Sequence, residues 1–170
     1  MEIRLATIED IDKIGALYVN NHRKTYRNLL SDEYINGLTT EYGVQKWGTY
    51  LAAGENRIWV AYEEETFLGF VAGTIDAELE NTWYLDSLHV TEESRGKGVG
   101  TTLIKTIGQY ALEQGYQVMS ICIVKGNDNA GNLYQKLGAR PWKDFEDDFC
   151  GTISQSQKLL WENLDIFKER

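Results

Sequence analysis

Cysteine is nearly absent from this chain of 170 residues: Cys122 and Cys150 are the only two, with no CxxC spacing and no histidine-rich neighbourhood. That pattern excludes a disulfide framework and a thiolate metal site, and Cys122, set in an apolar run, reads as a small buried thiol. Proline is rarer still, with one copy, while hydrophobic residues make up 42% and aromatics 12%. Such a composition excludes a disordered or low-complexity chain. No stretch of roughly 18 uncharged apolar residues occurs. The opening MEIRLATIEDIDKIG has no basic segment followed by an apolar one, so neither a membrane span nor a secretory leader is expected. A cytoplasmic, reducing location follows as the expectation. Positive charge is also in short supply: 17 Lys and Arg face 26 Asp and Glu, a net charge of −9. The resulting field repels phosphate backbones and anionic membrane surfaces, which argues against nucleic-acid and membrane partners and favours cationic ones.

What is present suits one domain spanning residues 1–170, because about 100–200 residues is the usual size and no linker or repeat interrupts the pattern. Ile3 and Leu5 alternate with charged residues as a short strand. Thr7 and Asp10 then resemble a capping box, opening a helix whose buried stripe is Ile8, Ile11, Ile14 and Leu17. Ser31, followed by Asp32 and Glu33, is another N-cap, and Val44, Trp47 and Leu51 continue the helical spacing until Gly54. Strand patterns run from Ile58 to Tyr62 and from Phe67 to Ile75, with Glu63-Glu64-Glu65 as an exposed hairpin turn between them, and then from Thr82 to Val90. On that last strand, strict alternation puts Tyr84, Asp86, Leu88 and Val90 on one face and Trp83, Leu85, Ser87 and His89 on the other.

A helix from Gly98 to Gln114 and a strand from Val118 to Val124 complete a strand-helix-strand unit, which implies a parallel crossover. A short helix follows from about Asn129 to Leu137. Two closing strands, about Trp142 to Phe149 and Thr152 to Trp161, form a hairpin across Cys150-Gly151. The predicted fold class is α/β: a mixed sheet of about six to seven strands flanked by about four helices, parallel in the middle and antiparallel at both ends.

The most informative segment is Arg95-Gly96-Lys97-Gly98-Val99-Gly100-Thr101, which leaves a strand and opens a helix. Glycines allow a tight turn, so that several N–H groups converge on one anion at the positive end of the helix dipole. Arg95 and Lys97 add positive charge. The spacing excludes two rivals. A P-loop needs Ser or Thr after Gly-Lys, but Gly98 follows Lys97; a dinucleotide fingerprint begun at Gly96 or Gly98 needs Gly or Ala where Thr101 or Leu103 stands.

Arg95-x-x-Gly98-x-Gly100 resembles the Q/R-x-x-G-x-G/A signature of the GNAT superfamily of N-acetyltransferases. The preceding Leu88-His89-Val90 resembles the end of that family's fourth strand, and Asn127-x-x-Ala130-x-x-x-Tyr134-x-x-x-Gly138 resembles its second motif. Together these cover about residues 84–139, and the element order resembles the whole fold. The resemblance implies an acetyl-CoA-dependent N-acetyltransferase acting on an amine.

By that resemblance, Leu88, His89 and Val90 hold the pantetheine arm as if it were a further strand. The Val90 N–H, where the fourth strand bulges and splays from the fifth, polarises the acetyl carbonyl. Arg95, Gly96, Lys97, Gly98, Val99, Gly100 and Thr101 wrap the diphosphate. Asn127 and Ala130 complete the cofactor side, and Tyr134 both touches the cofactor and protonates the departing thiolate. Asp86 is the first choice for the base; Glu78, Glu80, His89 or a chain of waters are the alternatives. His22, Tyr26 and Tyr34 fall where the family's acceptor pocket is lined. Asp76, Glu78 and Glu80, with Asp144, Glu146, Asp147 and Asp148, form either a negative rim for a cationic amine or a solvated acidic face. No cysteine stands beside the presumed acetyl site, so direct transfer in a ternary complex is expected. A CoA-binding sensor without turnover is the alternative, the resemblance does not choose among acyl groups, and a homodimer is common among similar proteins.

Overall fold

The alternation of apolar residues in the strands and their 3.6-residue period in the helices resolve into one sheet with helices on both faces. The computed structural model describes residues 1–149 and 151–169. Its strands are β1 (Glu2–Leu5), β2 (Arg57–Glu63), β3 (Thr66–Ile75), β4 (Thr82–Val90), β5 (Val118–Val124), β6 (Arg140–Phe149) and β7 (Thr152–Trp161). They lie in the order β1-β2-β3-β4-β5-β7-β6, and only β4 and β5 run parallel. The mixed sheet matches the expected architecture at the upper strand count. Cys150, in the expected closing turn, lies outside the described residues.

Among the described residues there are five α-helices rather than about four: α1 (Ile11–Tyr26), α2 (Asp32–Asn36), α3 (Thr40–Ala52), α4 (Val99–Glu113) and α5 (Asp128–Lys136). The extra one arises because the segment expected as a single helix breaks after Asn36. Ser31 caps α2 by accepting from the Tyr34 N–H, and Thr39 starts α3 by accepting from the Tyr42 N–H. Each cap satisfies a donor that the helix itself leaves unbonded.

Each sheet face carries its own core. Helix α4 covers a cluster that includes Trp83, Leu103, Ile107, Met119 and Trp161. Helices α1 to α3 cover another that includes Ile14, Trp47, Ile58 and Phe70. At the crossing of α1 and α3 the backbones nearly touch: a Cβ added to Gly15 would come within 2.6 Å of the Val44 nitrogen, and one on Gly43 within 2.5 Å of the Gly15 carbonyl oxygen. Two glycines thus set how closely α3 approaches α1. Asp10 ties β1 to α1, accepting from the Thr7 N–H (2.8 Å), both guanidinium nitrogens of Arg4 (2.8 and 3.0 Å) and the Tyr62 hydroxyl (2.7 Å).

Two irregularities in β4 shape the site. Ala72 pairs with Ser87 and Gly73 with Leu85, so Asp86 is an extra residue, a bulge. Strand β4 also stops pairing with β5 after Leu85 and Ile121, and β5 continues alongside β7 instead. The sheet opens there into a wedge.

Candidate active site

The bulge corrects the expected alternation along β4. An extra residue shifts every later side chain to the other face. Leu88 and Val90 therefore join Trp83 and Leu85 on the α4 face, and Asp86 does not share their side. His89 packs on the opposite face, 5.4 Å from the rings of both Tyr18 and Phe70. Asp86 lies on that same side, near Lys46 and Tyr50 of α3. The bulge itself sits at Asp86 rather than at Val90, where it was expected.

The main chain at Val90 nevertheless faces the opening. The Thr91 N–H donates to the Leu68 carbonyl at 2.9 Å. Because N–H groups alternate along an antiparallel ladder, those of Val90 and Leu88 point away from β3 and into the wedge that β5 has vacated. A cleft of about 920 Å³ runs through it, lined by Leu88, His89, Val90, Gly100, Asn127, Ala130 and Tyr134 and by Asp86 on its other wall. That volume falls in the range of small-molecule sites.

At the mouth, Gly96 (φ +77°) and Gly98 (φ +83°) adopt the left-handed conformation, and Gly98 is the N-cap of α4. Val99 drops its side chain into the core, while Gly100 sits where an added Cβ would touch Leu88 and Val90 at 3.9 and 3.7 Å. The first turn of α4 thus abuts the wedge, and its unbonded N–H groups offer an anion site there. Gly96, Lys97 and Gly98 are exposed, and Thr101 is half-buried. An elongated thioester carrier with a diphosphate fits this arrangement: strand-like donors lie in the wedge and a glycine turn at its mouth.

Arg95 departs from the simplest expectation. Its guanidinium donates to Asn21 Oδ1 at 3.0 Å. Asn21, only 5% exposed, in turn donates to the Val90 carbonyl (3.2 Å) and lies 3.4 Å from His89 Nδ1. One side chain of α1 thereby links the glycine loop to the end of β4. Sequence reasoning missed it, although an asparagine continuing the Ile14, Leu17, Tyr18 stripe was a signal: a polar residue on a buried face needs partners.

Tyr134, on α5, is 6% exposed and packs edge-on against Trp161 at 5.9 Å. Burial raises its phenol above the ordinary value, so it holds its proton at neutral pH. On the other wall, burial also raises the Asp86 carboxyl, against the opposing pull of Lys46. Tyr50 lies beside it, its buried hydroxyl directed at the Asp86 carboxyl, which that contact holds down against burial. Burial holds His22 at about 4 and His89 at about 3, so both imidazoles are neutral near pH 7. His22 and Tyr26 line the cleft, and Tyr34 reaches it through a 3.1 Å contact with His22 Nε2. The Tyr26 side chain lies against Asn127.

The acidic rim needs correction. Asp76 is buried and paired with Lys158 (2.8 Å), while Ser120 donates to it at 2.5 Å. Glu78 pairs with Lys158 and Lys143. Asp144 pairs with Lys125 at 2.6 Å, and Glu146 accepts from Gln155. Glu78 and Glu80 line no part of the cleft; of the later acids only Asp147 does. Three of these seven acids, Asp76, Glu78 and Asp144, are ion-paired within the fold. Among the described residues no cluster of ligating side chains suits a metal, and no helix is long and apolar enough to cross a membrane.

The comparisons agree with this geometry. The model of the acetyltransferase (GNAT) family matches residues 23–139. An uncharacterized N-acetyltransferase, YuaI of Bacillus subtilis, is 27% identical over 98% of this chain and 95% of its own length. The thialysine N-epsilon-acetyltransferase of Bos taurus is 32% identical over 75 residues, covering 41% of this chain and 44% of that protein. The PaiA N-acetyltransferase of Thermoplasma acidophilum, solved in complex with coenzyme A, has the same fold: the TM-score is 0.73 at 22% identity, over 92% of this chain and 98% of that one. With the family match spanning the glycine loop, the splayed strands and Tyr134 together, this chain belongs to the GNAT acetyltransferase family.

Proposed function

We propose that this acetyl-CoA-dependent N-acetyltransferase passes its acetyl group directly to a primary amine held between α1, α3 and the Asp86 face of β4. Acetyl-CoA supplies an activated thioester; the chain's own groups do the rest. The Val90 N–H, in the wedge, is the donor to the carbonyl oxygen, where charge grows during attack. The N–H groups of residues 96–101, including the first turn of α4, hold the diphosphate, with Lys97 adding charge; the Arg95 N–H is taken by the Glu92 carbonyl. Asp86 takes the proton from the incoming ammonium, from the opposite side of the sheet to Leu88 and Val90. Tyr134 gives its proton to the departing thiolate and is ready to do so because burial keeps it protonated. Neutral His89 packs against Tyr18 and Phe70 and serves as a wall rather than a base. The reading includes a cytoplasmic setting, an acceptor whose amine arrives as a cationic ammonium and no nucleic-acid partner, in keeping with a net charge of −9.

The observation that carries it is the wedge itself: two main-chain donors, a glycine turn and a protonated phenol open onto one cleft. Thiol release from acetyl-CoA, screened over amines, amino sugars, amino acids and peptides, tests it. The expected result is release that depends on an amine. Tyr134→Phe should slow turnover by about 10- to 100-fold while leaving acetyl-CoA affinity nearly intact. Loss of affinity with unchanged turnover would make Tyr134 a binding residue, and acetyl-CoA binding without release to any amine would favour a sensor.

A further inference from the structure

An ammonium group already stands in the half of the cleft assigned to an amine, where it works against binding a second one. Lys46, on α3, lines this wall with Tyr18, His22 and Asp86. Its Nζ lies 5.7 Å from the Tyr18 ring and 5.4 Å from the Trp47 ring, and the side chain is half-buried. Among the described residues no carboxylate comes within ion-pair distance of it. The other cations on the cleft are engaged: Lys24 with Glu92 at 3.0 Å and Arg95 with Asn21. Lys46 is still near enough for its charge to act on both Asp86 and His22.

A cation held over aromatic faces and a separate carboxylate on the same wall form a dipolar surface. The ligand complementary to it carries both signs. A plain amine would meet attraction at Asp86 and repulsion at Lys46; an amine tethered to an anion meets attraction at both. His22 Nδ1, buried and without a hydrogen-bond partner among the described residues, adds hydrogen-bonding capacity on the same wall. Resting on the transferase reading above, we propose that the acceptor is a zwitterion, a primary amine that also bears a carboxylate, with its amine at Asp86 and its carboxylate at Lys46.

The test compares β-alanine, γ-aminobutyrate and L-lysine with their carboxamides, in the unmodified enzyme and in Lys46→Met and Lys46→Arg. At least one carboxylate should be preferred over its carboxamide by about 10- to 100-fold in kcat/KM, the scale of a hydrogen bond to a charged group. Lys46→Met should erase that preference by slowing the carboxylate alone, and Lys46→Arg should retain much of it. Equal use of both series overturns the proposal. So does Lys46→Met slowing both alike with a shifted pH profile, which would make Lys46 a residue that tunes Asp86. Calorimetric titration of the same compounds into the protein saturated with CoA separates this from the parent reading. A carboxylate preference in binding that Lys46→Met abolishes supports the zwitterion even where no amine releases thiol, an outcome that sinks only the transferase. Equal binding, or none, overturns the zwitterion.

Discussion

Asp86 owes its position to the bulge and its chemistry to burial. A carboxyl raised above its ordinary 3.8 keeps its proton to higher pH, so the fraction able to accept an amine proton grows as pH rises. kcat/KM should therefore climb with pH through one ionisation lying above the usual carboxylate range. Asp86→Asn should lower kcat/KM by about 100- to 1,000-fold and remove that limb; a limb that survives the substitution assigns the base elsewhere. Asn21 tests a different property. It holds Arg95 and the Val90 carbonyl at once. Asn21→Ala strands both and should raise KM for acetyl-CoA several-fold while lowering kcat, because the loop and the strand lose their common anchor. Unchanged kinetics would reduce Asn21 to a packing residue.

Between elements, the contact that matters most to the acceptor wall is the meeting of α1 and α3 at Gly15 and Gly43. Any side chain there meets main chain, which cannot move aside cheaply. Gly43→Val should cost about 1–3 kcal/mol of stability, the usual range for overpacking, and should weaken amine use more than acetyl-CoA binding, since Lys46 and Tyr50 ride on α3. Gly54→Ala, where an added Cβ meets nothing, serves as the control and should stay within about 0.5 kcal/mol on denaturant unfolding. The same scale separates what was legible in the sequence from what was not. The strands, the Thr7-Asp10 cap and the glycine turn are written locally, in alternation, capping residues and positive-φ positions. The bulge at Asp86 is not local. It lies across from Gly73 of another strand, which pairs with Leu85 and where an added Cβ would strike Trp83 Nε1 at 2.4 Å. The break between α2 and α3 was legible in Thr39 as a second cap, but the continuing apolar spacing across it concealed it. Pairing of Asp76 and Glu78 with Lys158 joins residues about eighty positions apart, and no spacing rule reaches that far.

For the whole molecule, charge sets the response to acid. His22 and His89 are held by burial at about 4 and 3 against an ordinary 6.5, so between those values the unfolded chain binds protons that the folded chain refuses. Stability therefore falls as pH drops from about 6.5 toward 4. A second loss follows lower down. Burial pushes Asp10 up, but Arg4, the Thr7 N–H and Tyr62 together hold it at about 2 against 3.8, and the stability it lends is lost as pH falls through that window. The urea midpoint should decline on going from pH 7 to about pH 4, and less steeply in His22→Gln; a flat profile would mean that these imidazoles are hydrated.

All of this geometry converges on one cleft, and a crystal structure of the protein with acetyl-CoA tests it most directly. The diphosphate should lie over the main-chain amides of residues 96–101, the thioester carbonyl about 3 Å from the Val90 nitrogen, and the Tyr134 hydroxyl should face the sulfur. A diphosphate bound away from that turn, or a carbonyl with no contact to Val90, would contradict it.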